Sequence, residues 1–343
     1  MIQTLLSAKD ASEKALTVHR YRYELCGLAV ASDLPLSVPP VDEPTLREPS
    51  LSIRLMTSPV EAWLSSRGRL TTEVRCDCQI HQGSVTTRLW EGKSGYWIWN
   101  ESVATFHVPW KGERVDVYPE FGADQRAIAD TLCGEVIAFV LHRRGYPCLH
   151  ASAIVTAEGA LAFLGPSGMG KSTLAASFLR EGFALLTDDI LPLQVQSDGV
   201  YAVPGPSTLK LWPETVEHTL GYLGELPKVL EPFDKRLLTL GEGMPHAQSP
   251  IRLRGLYLLD RFDPETTGST DVSIEKLGKA QASLSLLRHT YPGAFVQPAE
   301  AGDVFPTYAR LAAQTPISVL RYPAGFSYQG EVRRQILADI VSR

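Results

Sequence analysis

The sequence predicts an α/β fold in which a β-rich N-terminal part precedes an α/β part with a phosphate-loop signature. Three observations predict it. Short alternating runs separated by turn residues fill residues 51–118. An apolar run at Ala160–Leu164 passes through a glycine-rich loop into a helical pattern, and a second apolar run ends on Asp188 and Asp189. With 343 residues there is room for two domains. The boundaries fall at residues 1–123 (β-rich), 124–145 (connecting helix) and 146–343 (α/β).

Residues 1–18 carry no firm pattern, Tyr21–Val30 alternates as one strand, and the proline-rich Pro35–Pro49 reads as extended surface chain. Candidate strands follow at Leu51–Leu55, Thr71–Cys78, Ser84–Trp90, Tyr96–Trp99, Val103–Val108 and Arg114–Tyr118, an antiparallel meander. Trp90, Tyr96, Trp97, Trp99, Phe106 and Trp110 lie along it, either as cross-strand core pairs or as a peptide groove. Asp124–Arg144 is the longest helical pattern: Ile128, Leu132, Val136, Ile137, Val140 and Leu141 share a face, and Arg143, Arg144 and Gly145 mark its end.

The loop Gly165-Pro166-Ser167-Gly168-Met169-Gly170-Lys171-Ser172-Thr173 fits G-x-x-x-x-G-K-[S/T], the Walker A pattern. Glycines free the backbone to turn its N–H groups inward as an anion nest, and the following helix adds its positive end. Lys171 supplies a charge for phosphate and Ser172 a hydroxyl for Mg²⁺. Asp188 and Asp189 end the next strand, at the sheet edge where ligands bind, and there can divide metal binding and proton removal between them. His150 opens the strand before the loop; in a tight hairpin it falls opposite Gly165–Ser167, beside the phosphates.

Beyond Asp189, Ile190–Val195 and Val200–Val203 continue the β pattern, and residues 215–250 read as an irregular lid or substrate segment. Within it Lys235-Arg236 can offset phosphoryl charge; Arg252 and Arg254, on one face of the next strand, are secondary phosphate contacts. Helices at Lys279–Thr290, Val304–Gln314 and Gln329–Val341 and a strand at Ile317–Tyr322 complete the chain.

Net charge is −5 and no basic run occurs, which argues against a nucleic-acid partner. No stretch is apolar for the ~18 residues of a membrane span, and Met1–Leu16 lacks a signal-peptide core, so a cytoplasmic protein is expected. The odd set Cys26, Cys76, Cys78, Cys133 and Cys148, without C-x-x-C, reads as reduced thiols.

The run Leu149-His150-Ala151-Ser152-Ala153, the loop Phe163-Leu164-Gly165 to Thr173, and Leu186-Thr187-Asp188-Asp189 resemble the C-terminal domain of the HPr kinase/phosphorylase family. They are closest to the HPr-kinase-like proteins of lasso-peptide and other ribosomal-peptide gene clusters. The resemblance is strong over residues 146–215. It implies a P-loop kinase domain with a mixed central sheet and flanking helices, ATP and Mg²⁺ as cofactors, and a serine on a precursor peptide or small protein as acceptor. True HPr is an alternative acceptor, and a nucleotide sensor or assembly factor without transfer is the alternative function. HPr kinases assemble as hexamers, which leaves a homo-oligomer open. On this reading Lys171 and the loop from Gly165 to Thr173 hold the nucleotide and Ser172 and Asp189 hold Mg²⁺. Asp188 deprotonates the acceptor, and His150 positions Asp188.

Overall fold

The computed structural model describes residues 19–41, 48–56, 68–75, 85–221, 226–230, 233–241, 243–291, 295 and 301–343. They form a mixed α/β structure with two eight-stranded sheets and one of three strands. Residues 1–18, part of the Pro35–Pro49 segment, Cys76 and Cys78 lie outside the described residues.

The single strand expected at Tyr21–Val30 is instead a hairpin of β1 (Tyr21–Leu25) and β2 (Leu28–Ser32). Cys26 and Gly27 both take positive φ, 54° and 77°. That is the mirror-image turn geometry which joins twisted antiparallel strands through two residues. The pattern conceals the turn because cysteine is not a usual turn residue. β3 (Leu51–Leu55) follows. Then β4 (Arg69–Arg75), β5 (Val85–Glu91), β6 (Gly95–Asn100), β7 (Ala104–Pro109) and β8 (Arg114–Pro119) form the antiparallel meander. β3 enters between β2 and β8, parallel to both, so the sheet as a whole is mixed.

Helix α1 covers this sheet. It runs continuously through Gln125–Thr131, a π-turn at Leu132–Val136, and Ile137–Arg143. Asp124 caps it by accepting from the Arg126 N–H. Its apolar face, from Ile128 to Leu141, packs against Ile53, Ile98, Phe106, Val115 and Val117 in one core. The two arginines at its end hold it to the sheet: Arg144 donates to the carbonyls of Ser50 and Gly112 at 2.7 Å, and Arg143 lies 4.7 Å from the Tyr96 ring centre.

The second sheet begins with β9 (Cys148–Thr156) and β10 (Gly159–Leu164), an antiparallel hairpin turned by Ala157-Glu158. Helix α2 (Lys171–Arg180) and β11 (Ala184–Thr187) follow. β11 pairs antiparallel with β9, so β9 lies between β10 and β11 while these two run the same way. Next come β12 (Ile190–Val195), β13 (Val200–Ala202), β14 (Thr208–Leu211), β15 (Lys228–Leu230), β16 (Phe233–Thr239) and β17 (Ile251–Phe262). β14, β16 and β15 form the three-stranded sheet; β15 and β16 lie within residues 215–250, expected to be irregular, because short strands rich in charge alternate too weakly to be read. β18 (Ser273–Lys276), helices α3 (Lys279–Arg288) and α4 (Ala301–Gln314), β19 (Ile317–Pro323) and α5 (Gln329–Val341) complete the chain.

β17 is parallel to β10, and β19 to β17. The carboxyl ends of β10, β11, β17 and β19 therefore share one edge. One apolar cluster joins Ile154, Leu161 and Phe163 to Leu174 and Phe178 of α2 and Ile336 and Ile340 of α5. Another joins Ala151, Ala162 and Leu164 to Leu286, Tyr308 and Leu311 of α3 and α4. Among the described residues no helix is long and apolar enough to cross a membrane.

Glu135, in the π-turn, accepts from the Asn100 amide at 3.3 Å, and burial pushes its carboxyl up to about 7 from 4.5. The folded chain therefore holds this proton more tightly than the unfolded chain. The stabilisation is full below about pH 4.5 and is lost as pH rises through about 7. Glu135→Gln is expected to lose less melting temperature between pH 5 and pH 8 than the parent; thermal denaturation at both pH values checks this, and equal losses would refute it.

Candidate functional site

The loop between β10 and α2 has the backbone that its glycines permit. Gly168 and Gly170 sit at φ 83° and 94°, where side chains are strained. A Cβ on Gly170 would lie 2.9 Å from the Tyr322 hydroxyl, which donates to the Met169 carbonyl at 2.6 Å. The end of β19 thus closes against the loop. Lys171 opens α2 and is 7% exposed. Its ammonium folds back onto the carbonyls of Gly165 (2.7 Å) and Pro166 (3.2 Å). Burial lowers its pKa, with Asp189 and Asp188 opposing.

Asp188 and Asp189 follow β11 at the same edge. Asp188 is buried. Its Oδ1 accepts from Ser152 Oγ (2.5 Å) and Ser172 Oγ (2.9 Å), and its Oδ2 from the Lys210 N–H (3.1 Å). Burial and the neighbouring charge of Asp189 raise its pKa. Asp189 takes φ 74°, a left-handed conformation that costs a non-glycine residue about 1–3 kcal/mol. It lines the cavity, and its Oδ2 lies 3.0 Å from Lys210 Nζ, which lies 3.0 Å from Asp130 Oδ2 of α1. Burial disfavours ionised Asp189, but the Lys210 ammonium outweighs it and holds the carboxyl well below the usual carboxylate range.

The β9–β10 register pairs Leu164 with Ala151, which sets His150 at the level of Gly165. Its Nδ1 is 3.2 Å from the Asp189 carbonyl, and the ring stacks on Tyr291 with centres 5.3 Å apart. Burial, then the charge of Lys171, lowers its pKa to about 4, so the ring is neutral at pH 7. A carbonyl only accepts; Nδ1 therefore carries the hydrogen and Nε2 is left as an acceptor. His150 thus touches the main chain of Asp189, whereas the side chain meeting Asp188 is Ser152, two residues further along the same face of β9.

A cavity of about 920 Å³ opens over the loop. It is lined by Ser167, Gly168, Gly170, Lys171, Ser172 and Thr173 of the loop and by His150, Asp189, Lys210 and Lys235. Lys235 lies 5.7 Å from the ring of Trp212, while Arg236 is turned to Asp234 at 2.8 Å. Arg252 and Arg254 are not brought to the loop. β17 runs parallel to β10 with Leu253 beside Ala160, which places both arginines at the start of β10, at the opposite edge. Arg252 donates instead to the Asp198 carbonyl at 2.9 Å, and Arg254 packs on Gly159. Arg261, nine residues or about 30 Å further along β17, is the arginine of that strand that reaches the cavity. The sequence reading missed Ser152, Lys210, Arg261 and Asp130. Ser152 had a signal, since it lies two residues from His150 on a strand. Lys210 had one too, a lone lysine between the apolar Leu209 and Leu211.

The residues fit a polyphosphate and a hard divalent cation. A buried ammonium bonds to carbonyls of the glycine loop, and the Ser172 hydroxyl, on the next residue, bonds to the Asp188 carboxylate at 2.9 Å. Among the described residues no cluster of three or more His, Cys, Asp or Glu could hold a metal alone. Mg²⁺ asks less, because it is commonly held by one or two carboxylates together with substrate phosphates.

No family model and no curated protein matches the chain. Among solved structures it is similar to the Hpr(Ser) kinase/phosphatase from Coxiella burnetii, at 11% identity over 56% of this chain and 97% of that chain, with a TM-score of 0.30.

Gly170→Ala is expected to destabilise the chain by about 1–3 kcal/mol, from its left-handed backbone and its approach to Tyr322. Urea denaturation measures this, and adding Tyr322→Phe should recover part of the loss; an unchanged midpoint would refute the strained loop.

Proposed function

We propose that this chain is a kinase that transfers the γ-phosphoryl group of ATP to a serine-type hydroxyl on a peptide or small protein. The observation that carries the reading is the Ser172–Asp188 bond beside buried Lys171, under a glycine loop, with ionised Asp189 facing the same cavity. Loop N–H groups and Lys171 hold the phosphates. Ser172 and Asp188 hold Mg²⁺, which when bound neutralises phosphate charge. Asp189 accepts the proton of the acceptor hydroxyl as its oxygen bonds to phosphorus and the bond to departing ADP breaks. Positioning and charge supply most of the rate in such transfers. This assignment exchanges the two aspartates relative to the sequence expectation, because Ser172 meets Asp188 while Asp189 is the one open to the cavity. His150 then positions Asp189 through its main chain instead of Asp188.

The motif resemblance supports a ribosomally made precursor peptide, of the lasso type, as acceptor. The N-terminal sheet is the proposed recognition part; Trp110 and Phe121 are exposed on it and just beyond it. The test is mass spectrometry of a serine-bearing precursor peptide, and of HPr, after incubation with the protein, ATP and Mg²⁺. One phosphoryl group should be gained. Asp189→Asn should lower transfer at least ~10²-fold with near-normal ATP binding, and unchanged transfer would overturn its role as base. Lys171→Ala should weaken binding and transfer together. Tight ATP binding with no product on either acceptor would favour a nucleotide sensor.

A further inference from the structure

The proposed chemistry gives the Lys210 ammonium no part beyond keeping Asp189 ionised. Its placement asks for more. Its main-chain N–H is bonded to Asp188, the carboxylate that also holds Ser172, so its position is fixed relative to the start of α2. Leu209 and Leu211 anchor β14 in the core, which turns Lys210 the other way. Lys210 lines the cavity together with Asp189, His150 and Ser172. It is shared between two carboxylates at 3.0 Å each, and the second, Asp130, comes from α1 and is not part of the cavity lining.

The proposed chemistry sets a problem that this arrangement answers. An ionised base and an anionic phosphoryl group must approach the same hydroxyl, and two anions so placed repel unless a cation lies between them. Lys171 is committed to the loop side, at the carbonyls of Gly165 and Pro166. Lys210 is on the Asp189 side. We propose that Lys210 is a second phosphate-binding cation, which leaves Asp130 to engage the terminal phosphoryl group of ATP while keeping its contact with Asp189. Asp130 is its positioning residue, a resting partner that holds the ammonium at the cavity wall when no phosphate competes. The inference rests on the nucleotide reading of the site.

Calorimetric titration of the full chain with ATP and with ADP, each with Mg²⁺, separates the two. Lys210→Met is expected to weaken ATP about tenfold, the scale of a charge-assisted hydrogen bond, and to leave ADP within about twofold. Lys210→Arg should restore most of the difference. Lys171→Met should weaken both nucleotides. Asp130→Asn, by removing the competitor for the ammonium, should tighten ATP relative to ADP by about two- to fivefold. Equal weakening of ATP and ADP by Lys210→Met, or no weakening, would overturn the proposal, as would looser ATP in Asp130→Asn. Failure of the unaltered protein to bind either nucleotide would remove the nucleotide reading and this inference with it. Nucleotide binding with the wrong ATP-to-ADP pattern removes the inference alone.

Discussion

The carboxylate of Asp188 is the point on which the site depends. Four segments meet there: β9 through Ser152, α2 through Ser172, β14 through the Lys210 N–H, and the end of β11, which the aspartate follows. A buried carboxylate is costly unless its lone pairs are filled. Here two hydroxyls and one amide occupy three of its roughly four acceptor positions, so removal of any partner leaves the buried carboxylate less compensated. The glycine loop is positioned from below by this bond and from the side by Tyr322, and its own glycines leave it free to follow.

Adjacent carboxylates usually spoil each other by mutual repulsion. In this pair the backbone of Asp189 turns left-handed immediately after Asp188, and the two side chains part. One is buried, bonded to Ser152, Ser172 and the Lys210 N–H, with a raised pKa, and the other lines the cavity and is kept ionised by Lys210. Strain at one residue is exchanged for a division of labour between two.

What could be read from the sequence was local. The loop, the aspartate pair and the level of His150 follow from spacings within about 40 residues and from a hairpin whose turn leaves little choice of register. α1 was legible because its apolar face is continuous, although its π-turn, which disturbs the period only within Leu132–Val136, was not. Contacts that depend on which distant strands pair were illegible. Lys210 meets Asp130 across 80 positions, and Arg252 and Arg254 fell at the wrong end of β17 because direction along a strand cannot be judged from residue type. The Cys26-Gly27 turn and the charged strands β15, β16 and β18 escaped for compositional reasons.

The hairpin turn at Ala157-Glu158 has a bearing on the site that its location does not suggest. It counts out β9 so that His150 and Ser152 share the face on which the two aspartates arrive. Successive strand residues alternate between faces. A one-residue insertion at that turn, if the strands kept pairing, would present Leu149, Ala151 and Ala153 to the aspartates and bury the histidine and serine against α3 and α4. Such a surface turn would ordinarily tolerate changes in length. This one acts as a ruler, and related chains that vary in length nearby should place their extra residues elsewhere.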